Sequence, residues 1–164
     1  MKYKKPQHII DILIDTIAKN GTMLLNIVQR PDGTIDEQSE WILDELAKWF
    51  AVNGEAVYYT RPWRVSGEGS SFVRISGFTE EQVPWQEDDF RFVQKDNKLY
   101  AYIMSPKARK TAVIKSLRED EKVSKVRLLG VGELAFNQYA GVLVIELPEQ
   151  MPTSYANALE ISFQ

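Results

Sequence analysis

The chain of 164 residues has no cysteine and a single histidine, His8. The absence of cysteine excludes disulfides and thiol chemistry. Metal sites need histidine, cysteine or carboxylate clusters at ligand spacing, and the sequence has none. It also lacks a glycine-rich phosphate loop. We therefore expect neither a metal nor a cofactor, and we assign His8, at the start of a predicted helix, to a capping or surface role.

Excess positive charge and long apolar runs are also missing. The net charge is −3 and the isoelectric point is about 5.3, so we expect no nucleic-acid partner. No apolar run reaches the roughly 18 residues of a membrane span, so we expect no membrane partner. The basic start at residues 1–6 is not followed by an uninterrupted apolar stretch, because Asp11 and Asp15 break it. These residues carry no export signal and leave the localisation of the chain open.

What is present indicates a globular protein with a sizeable core, since 44% of the residues are hydrophobic and 26% are charged. Apolar residues at spacings of three and four predict amphipathic helices over residues 6–19 and 35–52. Asp11 and Asp15 fall on the polar face of the first helix, which predicts a solvated face. For the second helix, Thr34 and Glu37 have the spacing of a capping box.

Residues 22–28, between the two helices, are too short for a helix and are flanked by turn signals. Apolar side chains on both faces are typical of a strand in a parallel sheet. Such a strand needs neighbours along both edges, and only one helix precedes it in this sequence. Asn26 is the polar exception. It either lines a pocket at the end of the strand or makes a structural hydrogen bond, and we favour the structural bond because an unpaired buried amide is costly.

From about residue 56 the pattern becomes short alternating runs separated by turns. Residues 89–104 predict a β-hairpin around Asp96 and Asn97, and calcium binding by these two residues is a weaker alternative. Further strands are predicted over residues 111–116, 126–129, 134–136, 142–147 and 159–163. Thr60-Arg61-Pro62-Trp63 marks the junction, where proline should end regular pairing. The sequence thus predicts an α/β piece over residues 1–60 and a β-sandwich over 61–164.

Several long stretches carry a resemblance to a known family. They include LIDTIAKNGTMLLNI at 13–27, VNGEA at 52–56, TRPW at 60–63, RLLGVGEL at 127–134 and GVLVIELPEQMPTSYANALEISF at 141–163. These stretches are similar to the C-terminal part of the retaining α-L-fucosidases, which have a (β/α)₈ barrel followed by a β-sandwich. The similarity runs in order from about residue 8 to residue 163. Residues 28–30 depart from it, because many members have Gly-Pro-Lys there.

The resemblance implies that residues 23–28 are the last barrel strand and that the two helices flank it. It also implies hydrolysis of terminal α-L-fucosyl residues with retained configuration, which uses two carboxyl groups about 5–5.5 Å apart. In the family those groups come from earlier strands, and no residue of this sequence matches them. We therefore expect the chain alone to be inactive, the sandwich to support the barrel, and the complete protein to be secreted or periplasmic in a bacterium.

Two residues are candidates for contact with substrate, namely Asn26 and Trp85. Trp85 lies in a polar loop and, like the other aromatic residues, either stacks on a sugar or packs in the core; we favour packing. Asp32 is explained by turn geometry. The expected partner is carbohydrate in the form of fucosylated glycans. The alternatives to an enzyme remnant are a separate carbohydrate-binding sandwich and a homo-oligomer formed through the exposed barrel remnant.

Overall fold

The computed structural model describes residues 2–76 and 79–164. Two α-helices come first, α1 at Pro6–Ala18 and α2 at Glu37–Asn53, and a short 3-10 helix follows at Gly54–Ala56. The remaining elements are strands: β1 Arg61–Glu68, β2 Ile75–Ser76, β3 Thr79–Glu80, β4 Phe90–Lys95, β5 Lys98–Ile103, β6 Thr111–Ile114, β7 Val123–Leu128, β8 Gly132–Glu133, β9 Phe136–Tyr139, β10 Val142–Glu146 and β11 Asn157–Phe163.

The strands form a large sheet facing a small one. The large sheet has six strands in the order β1-β4-β5-β11-β7-β8, and the small sheet has three in the order β6-β10-β9. All of these pairings are antiparallel. Strands β2 and β3 pair separately as a two-stranded ribbon. The sequence-based prediction of an antiparallel β-sandwich after an N-terminal helical piece is confirmed.

The large sheet is covered on both faces, and β5 shows how its sequence achieves this. Leu99, Ala101 and Ile103 belong to the core between the two sheets, whereas Tyr100 and Tyr102 belong to the core beneath the helices. Side chains of a strand alternate between faces, so one strand supplies both cores. The helices contribute Ile10, Ile14, Ile42, Leu46 and Trp49 to the core beneath them.

Hydrogen bonds over long sequence distances fix α2 on the sheet. The Trp49 Nε1 donates to the Ala156 carbonyl at 2.7 Å, and the Trp49 ring lies stacked against Tyr102 with centroids 6.3 Å apart. Near the end of the helix, the Ala158 N–H donates to Asn53 Oδ1 at 3.0 Å. Because buried polar groups must be satisfied, these contacts define one position of α2 over β11.

Both predicted helices are confirmed, but the capping box is wrong. The N-cap of α2 is Asp36, whose Oδ1 accepts from the Ser39 N–H at 2.7 Å. Thr34 instead donates its hydroxyl and its backbone N–H to Asp32 Oδ1, at 2.7 and 3.0 Å. Asp32 is therefore used by a turn, as predicted.

The predicted hairpin is also confirmed, with Asp96 and Asn97 at φ of 51° and 60° between β4 and β5. Two positive φ values are typical of a type I′ turn. Pro62 lies within β1 opposite Val93, and the register of β1 with β4 shifts between Pro62 and Gly67, so regular pairing ends at the proline as expected. β1 is the edge strand of the large sheet, where proline is tolerated.

Residues 22–28 differ from the predicted strand. In the structure these residues belong to no helix or strand. A strand exists only through hydrogen bonds to a neighbour, and no strand of the described chain lies alongside this segment. Neither α1 nor α2 has the length and apolar character needed to span a bilayer, and this holds for every helix within residues 2–76 and 79–164.

The contacts of Trp49 generate a stability prediction. Replacing Trp49 with Phe removes the hydrogen bond to Ala156 and leaves a cavity, so it should lower the free energy of unfolding by about 2 kcal/mol. Trp41→Phe is the matched control on the same helix, because Trp41 is 47% exposed. That variant should change the free energy by less than about 0.5 kcal/mol. Equal losses in urea denaturation would contradict this account of how α2 is held.

Candidate functional site

A groove lies between the two helices and residues 22–28. It has a volume of about 450 Å³ and is lined by Ile9, Ile12 and Thr16 of α1, Ser39 and Ile42 of α2, and residues 2–4 and 22–28. Its lining mixes aliphatic and polar side chains. We call it the barrel-side groove, because it is the side on which the predicted barrel strand lies.

Residues 22–28 expose much of their apolar surface. Leu24 is 95% exposed, and Leu25 and Val28 are also exposed. Exposed aliphatic side chains on consecutive residues are typical of a surface that another polypeptide covers. Asn26 is exposed as well and lines the groove, so both interpretations of its amide stay predictions.

Trp85, the second candidate, is buried with 4% exposure, and its placement supports the packing interpretation. Its Nε1 donates to Asp11 Oδ2 of α1 at 3.0 Å. The Arg91 guanidinium carbon lies 4.9 Å from the centre of the ring, a cation–π contact. In this conformation the ring is not accessible to a sugar.

The expectation that Asp11 and Asp15 form a solvated face is wrong. They are 4% and 6% exposed. The physical reason is that Trp85 and Arg91, more than seventy residues away in sequence, cover this face of α1. The capping or surface role of His8 is wrong too, because His8 is buried and the N-cap of α1 is Lys5.

Arg91 organises this buried polar cluster. Its Nε donates to Asp15 Oδ1 at 2.8 Å, and Nη1 and Nη2 donate to the carbonyls of Phe90 and Ser71, each at 2.8 Å. Asp15 also pairs with Lys19 at 2.9 Å. The charges of Asp15 and Arg91 are thus compensated at short range, as buried ions require.

Asp11 is the exception in the cluster. Its Oδ2 accepts from Trp85, but its Oδ1 is buried and has no hydrogen-bond partner. Burial raises the pKa of the Asp11 carboxyl to about 7, against the lowering effect of the Trp85 hydrogen bond. The protonated acid is therefore favoured at this contact below neutral pH.

A second polar network was missed by the sequence analysis. Arg127 Nη2 donates to Glu55 Oε2 at 2.8 Å and to Glu160 Oε2 at 2.6 Å. The Tyr100 hydroxyl donates to Glu55 Oε2 at 2.7 Å, so the network ties the 3-10 helix to the large sheet. No local pattern indicates it, because the four residues come from four separate segments.

This network does not provide free carboxylates for catalysis. Burial opposes ionisation of Glu160, but the hydrogen bond from Arg127 prevails and lowers its pKa to about 2. Glu160 is thus held as a structural anion by the Arg127 guanidinium, which also contacts Glu55. Across residues 2–76 and 79–164, no three histidine, cysteine or carboxylate side chains are grouped so that they could hold a metal ion.

Comparison with known families gives two consecutive matches. Residues 1–55 match the family described as alpha-L-fucosidase, and residues 82–162 match the alpha-L-fucosidase C-terminal domain. Together the two matched regions include more than half of the chain.

The chain belongs to the α-L-fucosidase family. Tissue alpha-L-fucosidase of Mus musculus is 31% identical over 152 residues, which are 91% of this chain and 30% of that protein. Tissue alpha-L-fucosidase of Homo sapiens is 42% identical over 60 residues, 37% of this chain and 13% of that protein. The chain thus spans less than a third of the length of these relatives.

Solved structures agree on the fold. Alpha-L-fucosidase isoenzyme 1 from Paenibacillus thiaminolyticus superposes with a TM-score of 0.75 at 25% identity, over 99% of this chain and 35% of that one. The Thermotoga maritima alpha-fucosidase superposes with a TM-score of 0.73 at 24% identity, over 98% and 35%. The chain corresponds to the C-terminal part of an α-L-fucosidase-like glycoside hydrolase.

The buried Asp11 carboxyl predicts a pH dependence. Its pKa is about 7 in the folded chain and 3.8 in the unfolded reference, so the folded state binds the extra proton between these values. The contribution of Asp11 to stability is therefore greatest at low pH and is lost as pH rises towards about 7. Asp11→Asn keeps the oxygen that accepts from Trp85 and cannot ionise. Between about pH 5 and 8 the wild type should lose about 2–3 kcal/mol relative to this variant.

The control is Asp44→Asn, because Asp44 is exposed on α2. Carboxyls with lowered pKa, such as Glu160, are ionised across this pH range in every variant and cancel in the comparison. Urea denaturation at a series of pH values gives the measurement. If Asp11→Asn and wild type show the same change with pH, the assignment to Asp11 fails.

Proposed function

We propose that this chain completes an α-L-fucosidase-like hydrolase. Residues 1–60 supply the last strand and the last two helices of the barrel, and residues 61–164 form the sandwich that supports it. The complete protein removes terminal α-L-fucosyl residues from glycans with retention of configuration. The observation that carries the proposal is that the apolar segment 22–28 is exposed and pairs with no strand of the described residues.

The contacts of the helices support the role given to the sandwich. The helices pack on the sandwich domain through Trp49 and Asn53 of α2, which bond to Ala156 and Ala158, and through the contact of Asp11 of α1 with Trp85. Barrel helices normally pack on the strands inside the ring, and their outer face is free. Here part of the helix surface is taken by the sandwich, while Leu24, Leu25 and Val28 of the segment between the helices stay exposed and open to barrel strands.

The chain supplies no catalytic pair of its own. In its described part, the buried carboxyls of Asp15 and Glu160 are paired with arginines, Asp89 accepts from the Ser71 and Gln86 N–H groups and Asp11 accepts from Trp85. None of them matches the nucleophile or the acid of the family. In the complete protein Asn26 lies near the carboxyl end of the last strand, where barrel active sites are found. We favour a structural hydrogen bond for its amide and retain contact with the sugar as the alternative.

A second candidate is self-association. Two copies could cover each other's segments 22–28, since Leu24, Leu25 and Val28 are exposed in each. Such a dimer would bury the same apolar surface without a complementary barrel. It differs from the proposal in giving no route to hydrolysis.

Complementation tests the proposal. The chain alone should not hydrolyse a fluorogenic α-L-fucoside. A mixture with the part of a fucosidase relative that precedes the matched region should restore turnover, because the added strands pair with residues 22–28. Leu24→Pro should prevent this by removing a ladder N–H, and Leu24→Ala should not. Leu24 is 95% exposed, so neither change should affect the stability of the isolated chain.

Turnover by the purified chain alone would contradict the proposal. Equal turnover of the Leu24→Pro and Leu24→Ala mixtures would contradict the strand assignment, because it would show that residue 24 pairs with nothing in the complex.

A further inference from the structure

A second groove lies on the surface between the first turns of α1 and α2. It has a volume of about 580 Å³ and is lined by Lys5, Pro6, Gln7, Gln38, Trp41 and Tyr155. We call it the Trp41 groove. It shares no lining residue with the barrel-side groove, so covering residues 22–28 does not in itself fill it. We propose that the Trp41 groove is a saccharide subsite.

The two aromatic rings of the groove are held by rigid parts of the fold. Trp41 lies within α2 and is 47% exposed. The Tyr155 hydroxyl donates to Glu45 Oε2 at 2.8 Å, and its carbonyl accepts from Asn157 Nδ2 at 2.9 Å. A ring fixed in advance, as that of Tyr155 is, loses little conformational entropy when a ligand binds, which favours weak ligands such as sugars.

The remaining lining groups match the polar rim of a pyranose. Gln7 and Gln38 each present an amide with two donors and one acceptor, and Lys5 adds an ammonium group. A pyranose has an apolar C–H face that packs on an aromatic ring and hydroxyls around its edge that exchange hydrogen bonds with amides. One ammonium group in a chain of net charge −3 does not suit a nucleic acid.

The position of the groove suggests which part of a glycan it would hold. Gln7 and Gln38 are each the second residue of their helix. Helix α2 follows the loop that leaves the carboxyl end of segment 22–28. In a (β/α)₈ barrel, helices begin on the face that carries the active site. Resting on the proposed function, the groove lies at the outer rim of that face and takes sugars remote from the cleaved fucosyl unit.

The test uses the full chain, labelled with ¹⁵N, and titrates fucosyllactose while recording amide and indole signals by NMR. We expect saturable shifts of the Trp41 indole N–H and of the Gln7, Gln38 and Tyr155 amides, with a dissociation constant in the millimolar range. The indoles of Trp49 and Trp85 serve as internal references because both are buried. Trp41→Ala should weaken binding by about tenfold, since it removes the main stacking surface.

Controls separate binding from folding. Tyr139→Ala removes another exposed aromatic, which is 64% exposed on β9, and should leave the affinity unchanged. Trp41→Phe keeps a ring and should retain most of the affinity. Lactose alone should bind if the groove holds the core of the glycan, and failure of lactose to shift these signals would overturn that assignment.

Two further results would overturn the proposal. One is the absence of shifts at the groove with fucosyllactose at tens of millimolar. The other is binding that survives Trp41→Ala in a folded variant, which would place the sugar elsewhere. These measurements detect binding to the isolated chain, so they are independent of whether complementation restores hydrolysis.

Discussion

The backbone of a β-strand needs hydrogen-bonding neighbours, and this requirement decides the state of residues 22–28. The segment has the apolar composition of a buried strand, yet it runs unpaired across two helices with Leu24 almost fully exposed. Nothing about its own sequence prevents a strand. It has no neighbouring strand, because within the described residues the strands pair only with one another. The chain spans less than a third of the length of its curated relatives, which agrees with the proposal that the strands to pair with this segment come from the rest of a barrel.

The two helices are held in place by their contacts with the sandwich. Apolar packing beneath Trp49 supplies the bulk of this attachment, and hydrogen bonds to Ala156 and Ala158 define its geometry. The contact of Asp11 with Trp85 has a cost, since it buries one carboxylate oxygen without a partner. A buried group of this kind makes the attachment sensitive to pH, whereas the compensated pair of Asp15 and Arg91 does not carry the same penalty.

Local patterns in the sequence were sufficient for the elements that local interactions determine. The helices follow from apolar spacing, and the hairpin follows from Asp96 and Asn97, which adopt the left-handed conformation that the turn requires. The family resemblance supplied the order of barrel piece and sandwich. The predicted capping residue of α2 was wrong by two positions. Thr34 donates to Asp32 within a turn, and Asp36 caps the helix instead.

The polar clusters could not be predicted, because their partners are distant in the chain. From the sequence, Asp11 and Asp15 are predicted to face solvent. In the structure they are covered by Trp85, 74 residues from Asp11, and by Arg91, 76 residues from Asp15. Glu55 and Arg127, separated by 72 residues, present the same difficulty. Trp41 gave no signal either, since an aromatic residue in an amphipathic helix normally packs in the core.

Amide hydrogen exchange on the monomeric chain tests the central claim most directly. If segment 22–28 is a strand without neighbours, its amides should exchange nearly as fast as those of an unfolded peptide, while the amides of β5 and β11 should be protected by the full stability of the domain. Strong protection of residues 22–28 in a monomer would show that the segment already has hydrogen-bonding partners, and the account of an unfinished barrel wall would then be wrong.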